Sequence, residues 1–481
     1  MKYDQVTEYL RSRKDLSDWT WESSHEHSRE LFFTRRRKDL SRAKDVEKGR
    51  LCIHADGFFP DGKPSRGSAV VSVPQSILRS ELEALVDKAL ERARVSPTPR
   101  WSLPAPFPQP ALVTAGAPAV ALDLALLAVL RDAAFSAEEK PTNPSGRAHL
   151  AALELFLTER EHRLTSSTGA DFHWSDLLAE AEAVAVASPL GTQGRVGTAS
   201  SGLDEAELVE SWSSSAMDPQ ALRVMIARLL NRVVDRADAR PLYLLGDTPI
   251  LITGDAVPEF FGYYFNRLSA PQIHMGASDA RLGDSVYPFA SDIGTVGAGG
   301  AGSMSRTSGT GGTLPGSRAG DLPTLGFDPA LPGGTENRPA DADGFALERT
   351  VLAEKGIIRA FEGPSRYASW LDVPAKGACT SRWVSPGTLG DAGLKAMDHL
   401  EACVFSDFYV DHASGDFGGE LRLGILHRGN TRIPLTGGSI SGSISQECGA
   451  LRFTETLDQH GPFLGPSGVL LGKARIAAVE G

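Results

Sequence analysis

Hydrophobic and polar residues alternate over 420–426, with Leu421, Leu423 and Ile425 expected on one face and Glu420, Arg422 and Leu426 on the other, the period of a half-buried strand. Gly429-Asn430 breaks the run, and a second extended stretch at 431–435 predicts an antiparallel hairpin turning at 427–431. After Gly437-Gly438, the run SISGSI has small side chains at nearly every position, as expected where another backbone, an extended peptide or a partner subunit comes close. The clearest helix begins at Pro219 with Asp218 as its cap, and Leu222, Met225, Ile226, Leu229, Leu230 and Val233 repeat along one face. The same reasoning predicts helices after Pro74 (Leu78, Leu82, Leu85, Val86, Ala89 and Leu90 on one face), over 119–134, over 257–268 and over 391–400. Strands are expected at 30–34, 49–54, 67–73, 151–158, 242–245, 249–253 and 403–410, with a strand-turn-strand in 344–361 around Lys355-Gly356.

Interruptions in this pattern suggest the organisation. Seven prolines between 97 and 118 predict a linker or surface excursion over 95–118, and the Gly, Ser, Thr and Pro content of 292–339 predicts a long loop with no core of its own. At Pro241 short apolar runs bounded by Gly and Pro replace the earlier pattern. The expected division is an N-terminal α/β domain over 1–238 and a second domain over 239–481.

Composition narrows the function classes. A chain of 481 residues can bury sizeable cores without staples, and a formal charge of -11 makes nucleic acid an unsuitable main partner. The basic run Arg35-Arg36-Arg37-Lys38 stands alone and reads as a solvated turn. Cys52, Cys379, Cys403 and Cys448 are widely spaced, which fits reduced thiols and a cytoplasmic location. The charged N-terminus has no apolar signal region, and no stretch reaches the ~20 apolar residues of a membrane span. Ala, Arg and Gly usage suits a high-GC bacterial source.

Several motifs have a chemical reading that their context weakens. The GAGGAG run at 297–302 fits a dinucleotide loop in spacing, but no helix follows to hold a pyrophosphate. His25 and His27 could share a strand face and hold a metal with Glu30 or His54, although surface histidines beside acids are commoner than metal sites. Asp411, His412, Ser414 and Asp416 have the residue types of a nucleophile triad but are crowded on one turn, so no catalytic residue is assigned. Phe260, Phe261, Tyr263, Tyr264 and Phe265 read first as core and second as the lining of a substrate cavity. Neither H-E-x-x-H nor H-E-x-x-x-H occurs.

The G-D-F-G-x-E-x-R-x-G strand from Gly415, followed by P-x-T-G-G-S-I-S-G from Pro434, resembles the C-terminal region of the TldD/PmbA family of metallopeptidase-like proteins, and the PmbA (TldE) branch in particular. The turn Ser167-Thr168-Gly169 and the Asp218-Pro219 helix fall in the order of that family's N-terminal domain. The resemblance implies an α/β (α+β) chain of two domains, the second a curved mixed or antiparallel sheet. In TldD-like subunits zinc is held by a helical H-E-x-x-x-H and a C-terminal cysteine; here the corresponding places hold Gly262, Tyr263 and Arg267, and Gly465 to Gly468. The resemblance therefore implies a subunit with no cofactor of its own, paired as a heterodimer with a TldD-like zinc metallopeptidase chain that processes an extended or modified peptide. A repurposed pair in natural product (antibiotic) biosynthesis and a non-catalytic interaction protein are the alternatives. Substrate or partner contacts are expected at Tyr263, Tyr264, His274, Asp279, Arg281, Gly437, Gly438, Ser439 and Ser441, with strand addition along 421–444.

Overall fold

The structure, a computed structural model, describes residues 3–74, 76–106, 124–139, 146–190, 205–243, 245, 248–287, 320–447, 450–472 and 474–478. The 297–302 glycine run, Cys448, the end of the proline-rich stretch and the start of the 119–134 helix lie outside them.

The first half of the chain runs α1 (Tyr3–Ser12), β1 (Asp18–Thr34), β2 (Arg37–Phe58), β3 (Pro64–Val73), α2 (Arg79–Arg94), β4 (Pro97–Pro99), α3 (Leu124–Ser136), β5 (Ala148–Ser166), β6 (Asp171–Ala187), β7 (Ala206–Ser214) and α4 (Pro219–Asp238). Its strands form one antiparallel sheet in the order β4-β3-β2-β1-β5-β6-β7. These strands are far longer than the apolar pattern predicts, because charge rather than hydrophobicity joins their middle sections: Glu26 pairs with Lys48, and Glu30 with Arg42 and Lys44, across β1 and β2. Helix α2 buries Leu82, Val86, Ala89 and Leu90 as expected, whereas Leu78 precedes its first turn and is exposed, its N–H donating to Glu81 Oε2 at 2.8 Å. The proline-rich excursion is not free surface at its start, since β4 pairs with β3 and Trp101 and Leu103 are buried. Arg35 and Arg36 form the exposed turn between β1 and β2, and Arg37 and Lys38 open β2, exposed as well.

The second half comprises β8 (Arg240–Pro241), β9 (Ile250–Thr253), α5 (Ala256–Arg267), α6 (Ala270–His274), β10 (Leu325–Phe327), β11 (Thr350–Glu354), β12 (Ile357–Ile358), α7 (Ser365–Leu371), β13 (Arg382–Val384), α8 (Asp391–Lys395), β14 (His399–Val410), β15 (Asp416–Arg428), β16 (Thr431–Thr436), β17 (Ser439–Ser443), α9 (Ile444–Glu447), β18 (Arg452–Phe453), β19 (Leu457–His460), β20 (Phe463–Pro466), β21 (Gly468–Leu471) and β22 (Arg475–Ala477). One mixed sheet has the order β18-β21-β9-β14-β15-β16-β8, with β17 beside β15 and β22 beside β17; a second has the order β12-β11-β10-β13-β20-β19. Three expectations change here. The 391–400 helix ends at Lys395 and Leu400 belongs to β14; among the described residues of 242–245 none is in a strand, Leu242 and Leu245 being buried and Tyr243 exposed; and the 292–339 loop contributes β10, whose Leu325 and Phe327 are fully buried.

Strand β15 ties the two halves together. Its pairing with β14 is interrupted by bulges, which reverse the facing of its side chains. Leu421 and Leu426 therefore enter the core around α5, while Leu423 and Ile425 enter the core shared by α4, β5 and β6. The predicted common face of Leu421 and Leu423 is thus wrong by the one extra residue of a bulge, and β15 is buried on both sides rather than half-buried. Among the described residues, no helix is long and apolar enough to cross a membrane.

Candidate functional site

Strand β9, central in its sheet, feeds α5 through Gly254 and Asp255. The aromatic residues of α5 point into the core on nearly every side. Phe261 lies between Phe453 and Phe463, with ring centroids 5.1 and 5.8 Å away, Phe260 meets Phe417, Tyr264 meets Tyr287, and Phe265 lies under the Arg382 guanidinium. Tyr263 and Tyr264 are buried among these rings, where the core reading of the cluster puts them.

The remaining ridge of α5, Glu259, Gly262 and Asn266, is covered by the turn between β14 and β15. Asn266 Nδ2 donates to the carbonyl of His412 at 3.0 Å, and His412 Nε2 lies 3.2 Å from Glu259 Oε1. The imidazole occupies the space a side chain at 262 would need: a Cβ there would sit 2.6 Å from His412 Nε2. Asp411 does not serve His412. Its carboxylate accepts the N–H groups of Ala413 and Ser414 and is held below the ordinary range by these backbone donors, so the residues suspected of forming a triad are a turn and a cap.

Zinc does not fit at this helix. Gly262 offers no donor, Tyr263 is enclosed beside Gly415, and Arg267 carries a fixed positive charge and binds Asp279 at 2.8 Å. From Gly465 to Gly468 the side-chain oxygen is that of Ser467, which pairs with Thr454 Oγ1 at 3.0 Å, and a Cβ on Gly465 would strike the Phe463 ring.

The other residues singled out from the sequence fall in two further places. His274, Asp279 and Arg281 are exposed on α6 and the loop after it, the His274 ring 4.9 Å from Trp370. Gly437 and Gly438 form the turn into β17, on which Ser439 and Ser441 are exposed. The edge expected to receive a peptide is already used by this chain: β15 lies between β14 and the β16–β17 pair, and β17 takes β22 as its second neighbour. Gly438, at φ +75°, allows that approach, since a Cβ would lie 2.4 Å from the Ala477 carbonyl oxygen. Glu30 pairs with Arg42 and Lys44, and the Nδ1 of His54 lies 2.8 Å from Ser68 Oγ, so neither joins His25 and His27. Asp45 does, its Oδ1 2.7 Å from His25 Nε2.

Sequence reasoning missed a crevice at the start of α5. A cavity of about 640 Å³ is lined by Phe156, Glu180, Trp212, Arg228, Asp255 and His460 among others. His460 Nδ1 is 3.2 Å from Asp255 Oδ1, and Arg228 donates to Glu210 (2.8 Å) and Asp458 (3.3 Å). The hydrogen bond from His460 keeps the Asp255 carboxyl below its usual range, while burial pushes Glu180 up. Its members come from β5, β6, β7, α4, the β9–α5 turn, β19 and the glycine after it, so no local motif announces it.

Residues 317–478 match the PmbA/TldA metallopeptidase C-terminal domain. No curated protein matches the chain in sequence. Among solved structures the chain is similar to TldE from Thermococcus kodakarensis, with a TM-score of 0.71 and 14% identity over 98% of this chain and 100% of that one. It is also similar to a putative modulator of a DNA gyrase from Thermotoga maritima (TM-score 0.70, 13% identity, 99% and 100% covered). A putative modulator of DNA gyrase from Bacteroides thetaiotaomicron gives a TM-score of 0.70 at 14% identity, with 99% of each chain covered. Fold and sequence together thus define an α+β chain with a metallopeptidase-type C-terminal domain. Residues 317–478 match the PmbA/TldA family in sequence, and the whole chain shares the fold of these TldE-like structures.

Proposed function

We propose that this chain is the partner subunit without catalytic zinc in a TldD/TldE-type heterodimer acting on an extended or modified peptide, with zinc held by a TldD-like chain. The observation that carries this reading is Gly262: position 262 of α5 offers no side-chain donor, and the His412 imidazole occupies the space one would need. Likeness to TldE over nearly the whole chain supports it. His274, Asp279 and Arg281, exposed and tied to α5 by the Arg267–Asp279 pair, are the groups we assign to partner or substrate contact, together with Ser439 and Ser441.

The test is hydrolysis of an unstructured peptide in the presence of zinc. The isolated chain, and its His25→Ala/His27→Ala variant, should show none, while co-production with a TldD-like chain should give an active preparation. Hydrolysis by the isolated chain would overturn the assignment, and activity of the pair on a small amide but not on peptides would point to natural-product tailoring.

A further inference from the structure

We propose that His25, His27 and Asp45 form a divalent-metal site that fastens the unsupported half of β2 to β1. His25 and His27 lie two residues apart on β1 and so share a face, with ring centroids 4.1 Å apart. Asp45 of β2 stands opposite His27 in the antiparallel register, its two oxygens 2.7 Å from His25 Nε2 and 3.2 Å from His27 Nδ1. One donor atom from each residue lies within 4.8 Å of the others. A tetrahedral ion with bonds of ~2 Å needs donors roughly 3.3 Å apart, a difference that rotation of half-exposed imidazoles can close.

Two imidazoles and one carboxylate, with water as fourth donor, suit borderline first-row ions such as Zn²⁺, Ni²⁺ or Cu²⁺ better than Mg²⁺ or Ca²⁺. The surroundings favour a cation. Glu47 stands opposite His25 on β2, and Glu161 and Glu159 stand opposite His25 and His27 on β5, against Arg29 along the same face of β1. His25 also lines a groove of about 900 Å³ with Tyr3, Trp21, Arg163 and His173, which leaves room for a fourth donor.

The position gives such an ion a purpose. From Arg37 to Lys48, β2 has β1 as its strand neighbour, and pairing with β3 begins only at Gly49. The segment is exposed and charged, so few apolar contacts hold it. An ion bound by both strands would cross-link them near the middle of this free stretch.

The test is calorimetric titration of Zn²⁺ into the full chain after EDTA stripping, with Co²⁺ absorption as a second probe. One ion per chain is expected, with affinity at least ~10-fold weaker in the His25→Ala/His27→Ala variant and in Asp45→Asn. Circular dichroism should show both variants folded, because all three side chains lie at the surface. Hydrogen exchange over 40–48 should slow on Zn²⁺ loading in the parent chain alone. Failure to bind, or binding undiminished in the variants, overturns the site; unchanged exchange on loading overturns its fastening role.

Discussion

At the scale of single residues, two histidines show how neighbours decide what an imidazole does. His412 lies over α5, paired with Glu259 and packed where Gly262 leaves space. His54 is fully buried against Ser68, Cys52 and Trp101. Burial, reinforced by the nearby Arg66 cation, pushes its pKa down to about 4. The unfolded chain takes up a proton near pH 6.5 that the native state refuses until about pH 4. This contribution to stability is therefore complete above pH 6.5 and is lost as pH falls through that window. Urea unfolding at pH 7 and pH 4.5 should show a His54→Gln variant losing about 2–3 kcal/mol less than the parent chain over that interval. Equal losses in the two proteins would show that His54 is not held neutral.

At the scale of elements, the closed edge of β17 makes a sharp prediction. Gly438→Ala places a Cβ against the Ala477 carbonyl in a left-handed backbone, so it should cost ~1–3 kcal/mol in urea unfolding and expose the chain beyond β21 to limited proteolysis. Unchanged stability and resistance would mean that β22 does not close the edge. Legibility follows the same physics. Helix α4 was readable because Asp218 caps it, accepting the Ala221 N–H at 2.9 Å, and because its apolar stripe is single. The β11–β12 turn was readable from Lys355-Gly356, both at positive φ. Strands β1 and β2 were mostly hidden, since ion pairs rather than an apolar face hold their centres. In β15 the alternation was visible but the bulge was not, so Leu421 and Leu423 were placed on one face although they enter different cores. The crevice around Asp255 and His460 brings β19 beside β5, β6, β7 and α4, elements far apart in the sequence, which no local pattern encodes.

At the scale of the whole molecule, α4 and β15 bury a common core between the first sheet and the mixed sheet, while α5 lies in the separate core that Leu421 and Leu426 of β15 enter. Family resemblance in the sequence anticipated the fold, and the structure changes one expectation: strand addition to β15 and β17 finds their edges paired with β14, β16 and β22, which leaves the exposed side chains of this region for contact. Gly262 in the middle of α5 suits the proposed role of a subunit whose chemistry is completed by another chain, and the most direct measurement of that proposal is the native mass of this chain co-produced with a TldD-like zinc subunit. A stable complex containing both chains is expected, with its catalytic zinc lost when the TldD-like ligands are substituted and retained when His25 and His27 are replaced. Two separate species, each indifferent to the other, would contradict it.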